Sequence, residues 1–581
     1  MPEQHCDLPK RPLGIDDVLK LDTFTGMHGD CFAFSPDGQR LAFCVQRSLQ
    51  SATRHTDVFL AGVARSELWW IDLASGQIEE VTAEGDRFAP CWSPDGSMLA
   101  FGVATSESVR LSILNVRDGR RLTLTGNLTL RGKRPFDWID DTQVVCAMVP
   151  GGELPRLFDL DRRACRKAPQ TWAQLDRLGS STVSVLDSGT GEPVASGGGE
   201  EPCHYLVFDV RSGEAVAGLG PDQQQALSSF QQRFDDPTFH EAGNLQAEEP
   251  PELPQGEPVA CHRASDRWLF LVEDAAGSGL VLVDRAGERT VELFRTNRHL
   301  AEIEAGVVRD VQFTDDEGSA KTVRLLLPPG SRHDTTYPAV VWVYPGARVG
   351  PKCRHLLKPH ESGQFCLHLL AAHGYIVIEP DLSIPSDLGS RNLAQCMALK
   401  VQEAVHAAVS TGLIDPGRLH VMGHSMGGWA AMALLAETDL FRSGIAMAGI
   451  SNLVSFHGTF DARFRYDDDG SATSMTAMCE RVFSMPGPPC EMPDRYIALS
   501  PVFAAHRINA PLIIVQGDQD YVSIGQGEEM YSALRRLGKP VRFVRYWGEG
   551  HVIAGAANIA DMWTEVMEWL DEADRAAAGV Q

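Results

Sequence analysis

At 581 residues the chain is too long for one hydrophobic core, which stops growing near about 250–300 residues, so two or three domains are expected. Its 43% apolar and 22% charged residues exclude a wholly disordered chain. A formal charge of −25 argues against nucleic acid and anionic membranes as partners and reads most simply as solubility.

The first residues, MPEQHCDLPKRPLGIDD, hold no apolar stretch of the secretory kind, and no run of about 18 apolar residues follows anywhere. The 13 cysteines are scattered without a C-x-x-C pair, which fits isolated thiols rather than a disulfide framework or a structural zinc site. A cytoplasmic protein is therefore expected. Up to about residue 305 the chain consists of short apolar stretches broken by turns. Phe32 to Val45 and Cys91 to Val103 each place a Ser-Pro-Asp-Gly turn between two strands, with proline setting φ and glycine taking the positive-φ position. The two turns lie 58 residues apart (Asp37 to Asp95), and between them Glu67 to Thr82 reads as a further hairpin. Echoes follow at Leu111 to Thr123, Phe136 to Ala147, Tyr205 to Ala215 and Trp268 to Thr290. A recurring four-stranded unit predicts an all-β propeller of six or seven blades over residues 1–305, with a β-sandwich as the alternative and a short N-terminal segment available to pack on the second domain. The Pro/Gly/Glu-rich stretches Ala195 to Pro202 and Gln246 to Pro258 read as loops, and the triple glycine in the first lacks the Lys and Ser/Thr of a phosphate loop.

From 306 to 581 strands alternate with helices. Strands are expected at Thr322 to Leu327, Ala339 to Tyr344, Tyr375 to Glu379, Leu419 to Met422, Pro511 to Val515 and Val541 to Tyr546, and helices at Phe365 to His373, Leu393 to Gly412 and Trp429 to Glu437. Continuous apolar strands separated by helices predict a parallel sheet covered on both faces, which the serine motif that follows makes an α/β-hydrolase domain.

The sharpest signal is Gly423-His424-Ser425-Met426-Gly427-Gly428 between a strand and a small-residue helix, the strand–turn–helix setting of a nucleophile elbow. A side chain at 423 or 427 would collide with the neighbouring strand or helix. Ser425 is the candidate nucleophile. A serine hydroxyl needs a base, and in this fold the acid and then the histidine follow it in the chain. The strand Pro511 to Val515 ends in Gln516-Gly517-Asp518-Gln519-Asp520, which offers two acids. Asp520 is preferred and Asp518 is expected to cap the following loop or helix. His551, on the glycine-flanked loop after the last strand, is the only histidine beyond Asp520 and the candidate base. The developing oxyanion needs two donors: the amide of Met426 and, because Pro345 has no N–H, the hydroxyl of Tyr344, which otherwise simply packs.

These segments, with the lead-in Asp415-Pro416-Gly417-Arg418-Leu419, resemble the prolyl oligopeptidase family of serine peptidases. The resemblance implies a propeller over the active site, admission of peptides and small substrates only, and the same role for Tyr344. The family's prolyl-specific members carry an arginine two residues after the catalytic aspartate; here that position is Val522, so proline specificity is not implied. Its dipeptidyl peptidases use a glutamate pair in the propeller; Glu79-Glu80, Glu200-Glu201 and Glu248-Glu249 are pairs outside any matching motif. The family builds its first specificity pocket where Ile450, Leu453 and Phe456 stand, which suggests an apolar or small side chain unless these residues are core. The expected function is a serine peptidase acting on a peptide or small-molecule substrate with no metal or cofactor. An esterase or amidase of the same fold is the alternative, and a catalytically dead binding module the third reading. Whether copies associate into a homo-oligomer is left open.

Overall fold

The computed structural model describes residues 10–24, 29–53, 65–130, 134–160, 163–175, 202–236, 250–253, 256–349, 363–383, 392–465 and 475–578. It divides into two compact units, one of residues 19–162 and 199–301, the other of residues 1–18, 163–198 and 302–581. The segment 163–175, the described part of a stretch read from sequence as part of the first domain, clusters with the second unit. It is the helix Arg163–Leu175, which lies against the turn Ala462–Phe464 of the same unit.

The first unit is a series of antiparallel sheets built from consecutive strands. One contains β1 (Phe32–Phe34), β2 (Arg40–Gln46), β3 (Ser66–Asp72) and β4 (Ile78–Glu80), in that order; the next contains β5 (Asp86–Trp92), β6 (Met98–Ala104), β7 (Val109–Asn115) and β8 (Arg121–Thr123). Strands β9 (Phe136–Asp140), β10 (Gln143–Met148) and β11 (His204–Asp209) form a sheet ordered β11-β10-β9, and β12 (Gly256–His262), β13 (Arg267–Asp274), β14 (Gly277–Asp284) and β15 (Arg289–Thr296) form a four-stranded meander. The repeated turns have the same geometry. Gly38 and Gly96 stand at φ +66° and +68°, and each donates its N–H to the turn's serine carbonyl at 2.8 Å. In each, the aspartate accepts the serine hydroxyl, at 2.5 Å for Ser35 and 2.7 Å for Ser93.

Two features depart from the sequence reading. The helix Pro221–Asp235 packs Phe230 and Phe234 against Tyr205, Val145 and Val207. Gly256 to Pro258, read as loop, opens β12. Glu200-Glu201 and Glu248-Glu249 lie outside the described residues, as does most of the rest of the two Glu-rich stretches. Glu79 and Glu80 are exposed on β4, where Glu80 pairs with Arg87 at 2.7 Å.

The second unit is organised by an eight-stranded sheet. Its strands are β16 (Val307–Thr314), β17 (Ala320–Leu327), β18 (Tyr337–Trp342), β19 (Ile376–Pro380), β20 (Ile414–His424), β21 (Ser443–Met447), β22 (Leu512–Gly517) and β23 (Val541–Tyr546), in the order β16-β17-β19-β18-β20-β21-β22-β23. From β19 to β23 every pairing is parallel. Strands buried on both faces read as continuous apolar runs, and β22 is buried at every residue. The helix Leu393–Val409 is opened by a capping box in which Asn392 accepts the Gln395 N–H at 2.9 Å and the Gln395 side chain accepts that of Asn392 at 3.3 Å. The helix Met426–Glu437 is apolar all round and almost wholly buried, with the Trp429 indole N–H donated to the Leu499 carbonyl at 2.7 Å. Because the central strands are parallel, their carboxyl ends share one edge, where ligands bind in open α/β sheets. Tyr344, Ser425, Asp520 and His551 follow the carboxyl ends of β18, β20, β22 and β23.

The C-terminal helix Ala556–Ala578 is fastened to this sheet by Asp574. Its carboxylate accepts from Arg418 at 2.6 and 3.0 Å, from His420 Nε2 at 3.2 Å and from the Tyr375 hydroxyl at 3.3 Å. Burial opposes its charge, but the hydrogen bonds from His420 and Arg418 outweigh burial and hold the carboxyl well below the ordinary carboxylate range. A depressed carboxyl adds stability that is complete above the unfolded value, about 3.9, and is lost as the pH falls toward the folded one. Asp574→Ala should therefore cost about 1–3 kcal/mol at pH 7. Thermal melts should show the gap to wild type closing as the pH drops below about 4.

Candidate active site

At the end of β20 the chain turns sharply at Ser425, with φ +58° and ψ −118°. Such a conformation is costly for a residue with a side chain and persists only where the surroundings fix it. Here the Ser425 N–H donates to the Met447 carbonyl at 2.8 Å, and its own carbonyl accepts the Trp429 N–H at 3.0 Å. The flanking glycines let three segments meet. A Cβ on Gly423 would land on the Gly427 and Val343 carbonyl oxygens, one on Gly427 again on Val343, and one on Gly428 2.6 Å from the Met447 oxygen. The collisions expected at 423 and 427 are thus both present. Ser425 is half-buried at the N-terminus of its helix, where the first amides, including that of Met426, have no intrahelical acceptor.

Asp520 and His551 meet on the same edge. Asp520 Oδ1 accepts the His551 Nδ1–H at 2.8 Å and the Val522 N–H at 2.7 Å. A carboxylate can only accept, so Nδ1 carries the proton and Nε2 of the neutral ring is free to take one. Asp520 is 0% exposed, and its Oδ2 is buried without a hydrogen-bond partner among the described residues. Burial pushes the Asp520 carboxyl above its ordinary range, opposed by His551, the Val522 amide and the charge of Arg463.

Asp518 takes a different role from the one expected. Among the described residues it caps no helix or loop end that follows; it accepts the Gly548 N–H at 2.5 Å, joining its loop to the histidine loop, and also the Gln519 side-chain amide at 2.6 Å. The two loops touch along their backbones, with the Gln519 N–H on the Glu549 carbonyl at 2.9 Å. A Cβ on Gly517 would strike that carbonyl.

Tyr344 is 40% exposed, and its ring edge lies beside Gly427, on the same helical turn as the Met426 amide. Of the two readings of the candidate pocket residues, the burial matches the core one. Ile450, Leu453 and Phe456 are only 3%, 0% and 1% exposed and belong to the hydrophobic core. The short helix Leu453–His457, capped by Asn452, packs against the helices Thr476–Val482 and Pro493–Ala498 and turns these side chains inward. Val522 is buried as well, so the position of the family's substrate-holding arginine presents no side chain here.

Several site residues had no clear sequence signal. The Tyr521 ring lies on the His551 imidazole, centroids 4.2 Å apart, and the Arg463 guanidinium sits 5.5 Å from the Tyr521 centroid while pairing with Asp461 at 2.7 Å. Burial, with Asp520 nearby, pushes the Tyr521 hydroxyl well above its ordinary value. Glu549 is 1% exposed and accepts the amides of Ala554 (2.9 Å) and Gly555 (3.1 Å) and the Asn558 side chain (2.5 Å), stiffening the histidine loop from within. Buried Gln364 accepts the Ile553 N–H at 2.6 Å. Among the described residues no cluster of His, Cys, Asp and Glu has the make-up of a metal site.

A mostly parallel sheet with a strained serine between strand and helix, and an Asp–His pair on the next carboxyl ends, defines an α/β-hydrolase domain. Residues 362–575 match the model of the prolyl oligopeptidase family. Among curated relatives, an uncharacterized peptidase, YuxL, of Bacillus subtilis is 26% identical over 259 residues, covering 42% of this chain and 35% of the relative. The acylamino-acid-releasing enzyme of Homo sapiens is 26% identical over 261 residues, covering 42% and 33%. The match thus spans about a third of the length of these relatives. Two solved structures share the fold across nearly the whole chain. The AtxE2 isopeptidase with astexin3-dC4 bound has a TM-score of 0.62 at 15% identity, covering 96% of this chain and 95% of its own. The Pyrococcus horikoshii acylaminoacyl peptidase has 0.61 at 13%, covering 97% of each.

Proposed function

We propose that this protein is a serine peptidase that hydrolyses peptide (amide) bonds of oligopeptides or modified peptides through an acyl-enzyme on Ser425. The observation that carries the reading is the 2.8 Å Asp520–His551 hydrogen bond on the sheet edge that presents the strained Ser425. Ser425 Oγ attacks the scissile carbonyl while His551 Nε2 takes its proton, and Asp520 fixes the tautomer and stabilises the imidazolium. The Met426 amide and the Tyr344 hydroxyl bind the oxyanion. Collapse expels the amine, which receives its proton from His551, and water releases the acyl group by the same steps in reverse roles.

The consecutive antiparallel sheets of the first unit support a propeller, for which six or seven blades is our reading from the chain length, and the resemblance supports restriction to peptides and small substrates. An acylamino-acid-releasing enzyme and an isopeptidase among the matched proteins support a modified peptide as substrate. The scattered cysteines, mostly buried among the described residues, support a reducing, cytoplasmic setting.

A panel of peptidyl amides beside p-nitrophenyl esters tests the reading. Hydrolysis of amides is expected; activity on esters alone would make the protein an esterase. Tyr344→Phe should lower kcat about 10²–10³-fold, or about 2.7–4 kcal/mol of transition-state stabilisation, with KM little changed. An unaltered kcat would leave Tyr344 as packing.

A further inference from the structure

The variable position of the elbow, His424, has a specific partner. Its ring is 6% exposed, and Nε2 lies 2.7 Å from the carbonyl oxygen of His551. A carbonyl only accepts, so His424 donates from Nε2. The two imidazoles lie 4.6 Å apart with a 58° tilt, and the Phe365 ring packs on His424 at 4.9 Å, 77° from its plane. Burial first, then the charge on His551, push His424 down to about 3, so its ring stays neutral and keeps its donor proton wherever a His551 base can work.

The remaining ties of the histidine loop act at its ends. Asp518 and Gln519 hold residues 548–549, Gln364 holds Ile553, and Glu549 holds Ala554 and Gly555. At residue 551 the described backbone tie is the one from His424. The residue adjoining the nucleophile in sequence is therefore hydrogen-bonded to the main chain of the base.

We propose that His424 is a positioning residue, which links the Ser425 elbow to the His551 backbone and so sets the approach of the imidazole to the serine hydroxyl. The proposal rests on the peptidase reading above. His424 acts through His551 and takes no part in the bond-making itself. Misplacing a catalytic group by about 1 Å can cost about 10²-fold, so the effect belongs in kcat.

The test compares wild type, His424→Phe and His424→Gln on one peptidyl amide, with the active fraction titrated by a fluorophosphonate and folding checked by thermal melting. Phenylalanine fills the space without a donor, while glutamine restores an N–H donor of similar reach. Expected are a fall in kcat of about tenfold or more for His424→Phe at nearly constant KM, and recovery of most of it in His424→Gln. A kcat for His424→Phe within about twofold of wild type overturns the proposal, as does an equal loss in both variants, which would assign the effect to packing. If His424→Phe does not fold, His424→Gln alone decides: near-wild-type kcat supports the hydrogen bond, and a loss as large as that expected for phenylalanine overturns it. A wild type that neither turns over nor labels overturns the peptidase reading itself, and this proposal with it.

Discussion

Ser425→Ala should lower kcat on a peptidyl amide by about 10⁶-fold while leaving the fold intact. The fold survives because the N–H to Met447 and the carbonyl to Trp429, which hold the strained backbone, are main-chain bonds that alanine retains. The effect is this large because a triad acts as a unit. Once the nucleophile is gone, His551 and Asp520 have no acyl acceptor to activate, and only the oxyanion donors and substrate binding remain, worth about 10³–10⁴-fold over water. Initial rates on a matched substrate, with melting curves of both proteins, check this. Residual activity of a few per cent would mean that another residue carries the chemistry.

Asp520→Asn should lower kcat by about 10⁴-fold. The carboxylate receives two N–H groups, from His551 and Val522, on one oxygen. An amide is neutral and no longer stabilises the imidazolium, and where it rotates its NH₂ onto His551 Nδ1 it fixes the tautomer protonated on Nε2, which cannot act as a base. Asp518→Asn separates the two acids that compete in the sequence. Its amide oxygen still accepts the Gly548 N–H, so the loop connection survives and activity should fall far less. Near-equal losses in the two variants would remove the ground for preferring Asp520.

The elbow was legible because its glycines answer to sterics that a sequence displays, with carbonyl oxygens lying where side chains at 423 and 427 would go. The Ser-Pro-Asp-Gly repeat was legible for the same reason, since both glycines occupy the positive-φ corner of their turns. Asp520 and His551 followed from chain order and the ends of apolar strands. The sequence leaves Ile450, Leu453 and Phe456 open between pocket and core, because apolar residues after β21 have the same composition in either place, and only tertiary packing shows Leu453 and Phe456 buried. The helix Pro221–Asp235 did carry a signal, a proline at its start and Leu227, Phe230 and Phe234 at helical spacing. His424, Gln364 and Glu549 carried none, because each acts through a hydrogen bond to a backbone group, and backbone groups are the same in every residue.

The central claim is that Ser425 forms the covalent intermediate. Reaction with a fluorophosphonate, read by intact mass and peptide mapping, tests it most directly. One adduct on Ser425 in wild type and none in Ser425→Ala is the expected result. An unlabelled wild-type protein, or an adduct on a different residue, would contradict the account.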